Sequence, residues 1–166
     1  MANKDQPRGL RPHGPLIRVR EYTAGALCAI GAPVAMQADG KVDPSAGDPL
    51  LGVAISYASA DAQKVLVADH PDQEFIIQAD DASIDAQTDI GGNFDLVNAT
   101  SAHGTYTKLS IAELDGDTSD AHTAADNPLK LVRIEERSDN ALGTNVDCVV
   151  IINNHQLGKG AASAAV

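Results

Sequence analysis

The sequence predicts a mostly β fold: a compact β-sandwich or β-barrel-like body with an extended, non-helical N-terminal arm. Runs of about five to nine residues rich in Val and Ile recur along the chain, separated by Gly, Pro, Asn, Asp or Ser. This spacing is typical of short strands joined by turns. No stretch of twelve or more residues shows the apolar stripe that an amphipathic helix requires.

The individual strands follow from this pattern. The first, LIRVREY at residues 16–22, alternates in period two and carries a charged face. The segment APVAMQA follows and ends at the turn ADGKVDPSAGDP. The remaining predicted strands are LLGVAISYAS, QKVLVADH, EFIIQAD, FDLVNA, YTKLSIAEL, LKLVRIEE and DCVVIIN. Because the chain holds only three Tyr, two Phe and no Trp, we expect its core to consist of Val, Ile, Leu and Ala.

The length of 166 residues fits one domain with an arm. We expect an extended, basic, Pro/Gly-rich arm at residues 1–15, a single β-rich domain at 16–157 and a flexible C-terminal tail at 158–166. Three prolines and two glycines prevent the arm from forming a helix of any length. The arm is predicted to supply little of the core and to be ordered only where something binds it.

Charge is distributed unevenly along the chain. Residues 1–20 hold five basic residues and one acid, a net +4, whereas residues 21–166 hold seven basic residues and 22 acids, a net −15. One interpretation is a disordered basic tail. The other is an arm that lies on an acidic partner surface, and this hypothesis selects the basic residues of the arm and first strand as contacts: Lys4, Arg8, Arg11, Arg18 and Arg20.

Cys28 and Cys148 lie 120 residues apart without a CxxC spacing. They are interpreted as two buried apolar residues or, less often, as one long-range bridge. No apolar run approaches the ~20 residues of a membrane span, and prolines interrupt the N-terminus where a signal peptide would need its apolar region. The sequence therefore predicts a soluble protein made in the cytoplasm.

Motifs of catalysis are absent from the sequence: it contains no GxGxxG after a strand, no GxxxxGK[ST], no HExxH and no GxSxG. The five histidines are scattered, and His155 is interpreted as a hydrogen-bonded residue at a strand end. Asp115, Asp117 and Asp120 lack the spacing of a calcium loop and are expected in a solvated loop. We expect no enzymatic activity, no catalytic residue, no cofactor and no metal.

Three segments of the chain resemble the capsid decoration, or cement, proteins of tailed bacteriophages. These are the opening MANKDQPRGLRPHGPLIRVREY, the central KVLVADHPDQEFIIQAD with DIGGNFDLV, and the closing NALGTNVDCVVIINNHQL. The resemblance implies a virion protein on the exterior of an icosahedral head, synthesised in the host cytoplasm. It also implies a homo-trimer that ties neighbouring major capsid protein subunits together, without nucleic acid, membrane or small-molecule substrate.

Two other functions are compatible with a β-rich fold. The first is a β-sandwich head-fibre or adhesin module that binds a host glycan, although such a module favours exposed aromatic side chains, which are scarce in this sequence. The second is a trimeric hydrolase with its site between subunits. That function needs a nucleophile or acid within a glycine-framed motif, and the sequence holds none.

Overall fold

A computed structural model describes residues 3–47, 49–80, 84, 87–100, 102–103, 108–117 and 126–158. The fold is mostly β with antiparallel sheets, as predicted, and the described residues include one short 3-10 helix at Gln87–Asp89. Of the predicted C-terminal tail only Gly158 is described. Among the described helical residues, none forms a segment long and apolar enough to cross a membrane.

Fourteen strands follow one another along the described chain. They are β1 (Arg11–Pro12), β2 (Val19–Thr23), β3 (Pro33–Met36), β4 (Val42–Pro44), β5 (Gly52–Ala54), β6 (Lys64–Ala68), β7 (Phe75–Gln78), β8 (Asn93–Phe94), β9 (Leu96–Val97), β10 (Ala102–His103), β11 (Leu109–Ser110), β12 (Glu113–Leu114), β13 (Leu129–Ile134) and β14 (Asp147–Ile152). Two sheets have five strands each, and two ribbons have two strands each.

Two of the predicted strands are each interrupted by a polar side chain. The FDLVNA segment separates into β8, which pairs with β13, and β9, which pairs with β12. Between them the Asp95 carboxylate accepts a hydrogen bond from the amide of Leu96 (2.8 Å). The YTKLSIAEL segment separates into β11, which pairs with β10, and β12, which pairs with β9. Between them the Ser110 hydroxyl accepts a hydrogen bond from the amide of Ala112 (3.0 Å). Such local bonds compete with the ladder between strands.

The first large sheet, sheet A, has the strand order β1-β7-β14-β13-β8 and is antiparallel throughout. Its longest pairing joins β13 and β14 and shifts register between Leu131 and Arg133, which marks an irregularity in the ladder. The short outer strands β1 and β8 contribute two residues each. Sheet A therefore has short edges on both sides.

The second large sheet, sheet B, has the order β2-β6-β5-β3-β4 and curves towards closure. Ala24, just after β2, forms a parallel bridge with Val42 of β4, and the amide of Gly25 donates to the Val42 carbonyl (3.0 Å). The first and last strands are thereby joined at one end, as in a small barrel. Its interior holds a cluster of small apolar residues: Ala24, Cys28, Val34, Val42, Leu51, Ala54, Ala58, Val65 and Val67.

A larger core lies between sheet A and the outer face of sheet B. Along β5, Val53 belongs to this larger core and Ala54 to the barrel interior, because successive strand residues point to opposite faces. Both phenylalanines, Phe75 and Phe94, are buried in the larger core. Cys148 lies in this core and Cys28 in the barrel, and both are free thiols, which agrees with the interpretation as buried apolar residues.

The N-terminal segment, residues 3–13, is extended and non-helical as predicted, but it lies along the rest of the chain. Leu10 is only 1% exposed and belongs to the larger core, so the arm contributes a side chain to that core. The Leu10 amide donates to the Gly31 carbonyl (2.9 Å). Gly9 allows this approach: its φ is +64°, and a Cβ there would lie 2.5 Å from the Gly31 oxygen.

Backbone and side-chain hydrogen bonds hold the rest of this segment. Strand β1 pairs with β7, and the His13 amide donates to the Glu74 carbonyl (2.9 Å). The Gln78 side chain accepts from the Gln6 amide (2.8 Å) and donates to the Lys4 carbonyl (2.7 Å). The Asn3 amide group donates to two carbonyls of the 141–144 loop, at 2.9 Å each. The segment therefore has a binding site on its own chain.

Replacing Leu10 with Ala should lower the free energy of unfolding by roughly 2–5 kcal/mol, because it removes a buried side chain and leaves a cavity. Leu16→Ala is the matched control, since Leu16 is 49% exposed and should change stability by less than about 0.5 kcal/mol. Urea unfolding of both variants measures the difference. Equal stability of the two variants would show that the N-terminal segment is not part of the core.

Candidate basic cleft

A cleft of about 500 Å³ opens between the N-terminal segment and the loop that joins β13 to β14. Four cationic side chains line it, Lys4, Arg8, Arg11 and Arg137, together with two carboxylates, Asp139 and Asp147. Five amide side chains complete the lining: Asn3, Gln6, Gln78, Asn140 and Asn145. Counted over the described lining residues, four positive and two negative charges leave the cleft at +2, on a chain whose net charge is −11.

Arg137 binds both of the carboxylates in the cleft. Its Nη2 lies 2.9 Å from Asp147 Oδ2, and its Nε donates to Asp139 Oδ1 at 3.1 Å. The hydrogen bond from Arg137 lowers the pKa of the Asp139 carboxyl. The Asn140 side chain accepts from the Asp147 amide (2.9 Å) and holds the loop against β14. Both acids of the cleft are therefore already ion-paired with this one arginine.

The cations of the N-terminal segment form weaker and fewer ion pairs than Arg137. Among the described residues, no carboxylate oxygen lies within 4 Å of the charged nitrogens of Lys4 or Arg8; Arg8 donates to the Gln6 side chain at 3.3 Å. Arg11 reaches Asp147 Oδ1 only at 3.9 Å. Its Nε is buried, and no described residue accepts a hydrogen bond from it. The cleft thus presents three cationic groups that can bind a further anion.

Arg18 and Arg20 lie elsewhere, at the buried carboxylate of Asp69. Arg18 Nε donates to Asp69 Oδ1, and Arg20 Nε donates to Asp69 Oδ2, each at 2.7 Å. Arg18 Nη2 also donates to the backbone carbonyl of Asp69 at 2.7 Å. The Tyr22 hydroxyl is a further donor to Asp69. The structure therefore separates the five predicted contact residues into two groups, with Lys4, Arg8 and Arg11 on the cleft.

The Asp69 cluster favours the ionised form of the carboxylate. Burial alone would raise the pKa of Asp69, but the hydrogen bonds from Tyr22, Arg18 and Arg20 outweigh it and hold the pKa below the ordinary value of 3.8. Burial and the bond to Asp69 raise the pKa of Tyr22 to about 12. The tyrosine therefore stays a neutral hydrogen-bond donor at neutral pH.

His155 is a structural residue, as the sequence interpretation proposed. It is buried, and its Nδ1 accepts from the Leu157 amide at 3.0 Å. Burial lowers its pKa to about 4, so the ring is neutral at pH 7. Within the described ranges no three His, Cys, Asp or Glu side chains converge on a point that could hold a metal ion. Asp115 and Asp117 are described, whereas Asp120 lies outside those ranges.

Arg137 is the cleft residue that sequence reasoning missed. It follows a predicted strand in a polar turn, RSDN, and is far from the basic N-terminus in the sequence. Nothing in the local pattern distinguishes it from an exposed turn residue. Its position across from Arg11 depends on the pairing of β1 with β7 and of β7 with β14.

Asp69→Asn should lower the free energy of unfolding by roughly 2–4 kcal/mol at neutral pH, because it breaks a buried ion pair while the arginines remain partly solvated. Because the folded-state pKa of Asp69 is depressed, its stabilisation is fully present above the unfolded pKa and is lost as pH falls through the folded pKa. The stability difference from the wild type should be constant from about pH 5 to 8 and should narrow below about pH 4.

Tyr22→Phe is the control for this prediction. It removes one hydrogen bond and should cost about 1 kcal/mol. Denaturant unfolding across a pH series measures both variants. A difference between wild type and Asp69→Asn that stays the same down to about pH 2 would contradict the assigned role of the ionised carboxylate.

Comparison with known proteins does not supply an identity for the cleft. No family model matches the chain, and no curated protein matches it significantly. What the cleft binds therefore has to be argued from its charges and its shape.

Proposed function

We propose that the protein is a structural, non-enzymatic component of a virus particle that binds the exterior of an icosahedral phage head. In this proposal its basic cleft contacts acidic side chains of the major capsid protein, and copies of the protein, expected as homo-trimers, tie neighbouring capsid subunits together. The single observation that carries the proposal is the +2 cleft on a chain of net charge −11. The resemblance of the three sequence segments to decoration proteins gives the partner.

The composition of the cleft favours a protein surface over other ligands. Arginines and amide side chains can bind carboxylates through paired hydrogen bonds. Among the described residues, none of the side chains that line the cleft is aromatic, so these residues offer no stacking platform for nucleic acid bases. The net charge of −15 over residues 21–166 would also repel a polyanion that extends beyond the cleft.

The N-terminal segment is ordered before it binds, which lowers the entropy cost of binding. Lys4, Arg8 and Arg11 are held in place by bonds to β7 and the 141–144 loop before any partner arrives. A partner then does not bear the full entropy cost of ordering a free arm. Each cleft alone would give a modest, salt-sensitive contact, but symmetric copies on one lattice add avidity.

The test is co-sedimentation with expanded, undecorated heads of the phage that encodes the protein. The full-length chain should pellet at saturable stoichiometry. The double variant Lys4→Ser/Arg8→Ser should bind at least tenfold more weakly at low salt, because it removes the two cations without a carboxylate partner. The loss should shrink as salt rises, since exposed charge interactions are screened.

Lys41→Ser/Lys130→Ser is the matched control, because it removes two positive charges that do not line the cleft. It should bind like the wild type. Equal losses in both double variants would mean that only net charge matters and that the cleft is not the contact. If the wild type itself does not pellet with the heads, the proposed function is wrong.

A further inference from the structure

The edges of the two large sheets differ in how well they are protected from an added strand. In sheet A, the outer strands are two residues long, and β1 contains Pro12, which has no N–H to donate. In sheet B, β4 ends in Pro44 and is bridged through Val42 to Ala24. Strand β2 has five residues and no proline, and is the longest open edge in the described part of the chain.

The direction of the backbone groups along β2 follows from the bonds at its two ends. The Asp69 amide donates to the Arg18 carbonyl (3.4 Å), and the Ala24 amide donates to the Gln63 carbonyl (2.8 Å). In an antiparallel ladder the bonded residues alternate. Even-numbered residues of this strand therefore direct their N–H and C=O groups to β6, and odd-numbered residues direct theirs outward.

Val19 and Glu21 are two of the β2 residues whose backbone groups point away from β6. No described residue forms a hydrogen bond with the N–H or C=O of either one. Two residues before Val19, the Ile17 amide is already bonded, because it donates to the Gln73 side chain (2.9 Å). The open edge therefore begins at Val19. These unpaired groups can form a ladder with a further extended segment.

The side chains beside this edge differ between its two faces. On one face, Arg18 and Arg20 are fixed by Asp69 through Nε but are 36% and 49% exposed. No described residue accepts from either Nη group of Arg20. On the other face, Leu66 lies opposite Glu21 in the register and is 41% exposed, and Ile17 is 50% exposed. One face is cationic and the other has an apolar part.

We propose that the outer edge of β2 accepts an extended segment of a partner protein in which acidic and apolar residues alternate. The acidic side chains accept hydrogen bonds from Arg18 and Arg20, and the apolar side chains pack beside Ile17 and Val19 on the other face. Alternation is required because successive residues of a strand point to opposite faces. The inference rests on the proposed function only for the identity of the partner, an extended segment of a capsid subunit.

The Asp69 cluster prepares this edge for binding. Three side chains of the 18–22 segment bond to one buried carboxylate, so the strand and both guanidinium groups are already ordered. Pre-ordering reduces the entropy lost when a second strand is added. It also leaves the charge of one arginine uncompensated, because two guanidinium groups share the single carboxylate of Asp69.

The test uses the full chain and a fluorescein-labelled peptide of seven residues in which Val and Glu alternate. Binding is measured by fluorescence polarisation at about 0.15 M salt, which screens repulsion between the peptide and the acidic body beyond about 8 Å. The peptide should bind saturably, and an analogue with Gln in place of Glu should bind at least tenfold more weakly. Equal binding of the two peptides would overturn the role of the arginines.

Glu21→Pro should reduce binding at least tenfold, because it removes an outward N–H and leaves the ladder with β6 intact. Glu21→Ala is its matched control: both variants lose the exposed pair with Lys64, but Ala keeps the N–H. Binding by Glu21→Pro equal to that of Glu21→Ala would overturn the proposal. So would the absence of peptide binding to the wild type.

A second measurement covers the case in which Glu21→Pro does not fold. In the wild-type protein, amide NMR signals of Val19 and Glu21 should shift on adding the Glu peptide, more than those of β13. Shifts confined to other regions would contradict docking at β2. Peptide binding without pelleting on phage heads would refute the proposed function alone, whereas pelleting without peptide binding would refute this inference alone.

Discussion

The burial of Leu10 is the constraint on which the arrangement of the N-terminal segment depends. Its side chain reaches the core beneath sheet A, and Gly9 allows the backbone to approach Gly31 closely enough for the Leu10 amide to donate there. Once this residue is fixed, β1 lies in register with β7. Lys4, Arg8 and Arg11 are then directed at the same cleft as Arg137. A segment whose prolines and glycines suggest a free strap becomes part of the rigid body, and the charges it carries become a surface of fixed geometry.

A second buried group organises the other half of the molecule. Asp69 has no exposure to solvent, and a lone carboxylate in that position would be costly. Arg18, Arg20 and Tyr22 compensate it, which fixes the beginning of β2 against the end of β6. Sheet B is closed at its other end by the bridge between Ala24 and Val42. The basic N-terminal sequence therefore serves two structural purposes, since its first three cations line an open cleft and its last two neutralise a buried acid.

The fold class could be predicted from the sequence because Val and Ile recur in short runs between turn residues, as in LKLVRIEE and DCVVIIN, which form β13 and β14. The burial of both cysteines was the first of two interpretations, because Cys28 and Cys148 lack the CxxC spacing of a zinc or redox motif. The docking of the arm could not be predicted, because it depends on the fit of Leu10 to a core assembled from distant strands. Part of the cleft lining could be anticipated, because Lys4, Arg8 and Arg11 are close in sequence, whereas Arg137 joins them only through sheet pairing. The partner of Arg18 and Arg20 was missed because QKVLVADH gives no sign that its aspartate is buried.

Amide hydrogen exchange of the free and the head-bound protein tests the central claim most directly, namely that the N-terminal segment forms a rigid cleft before binding. The claim predicts that the Leu10 amide, bonded to the Gly31 carbonyl, exchanges in the free protein about as slowly as the amides of β7. On heads, further protection should appear around the cleft and should be small at Leu10. The claim would be contradicted if the Leu10 amide exchanged in the free protein at the rate of an unstructured chain and became protected only on heads. The N-terminal segment would then be an arm that becomes ordered only on binding.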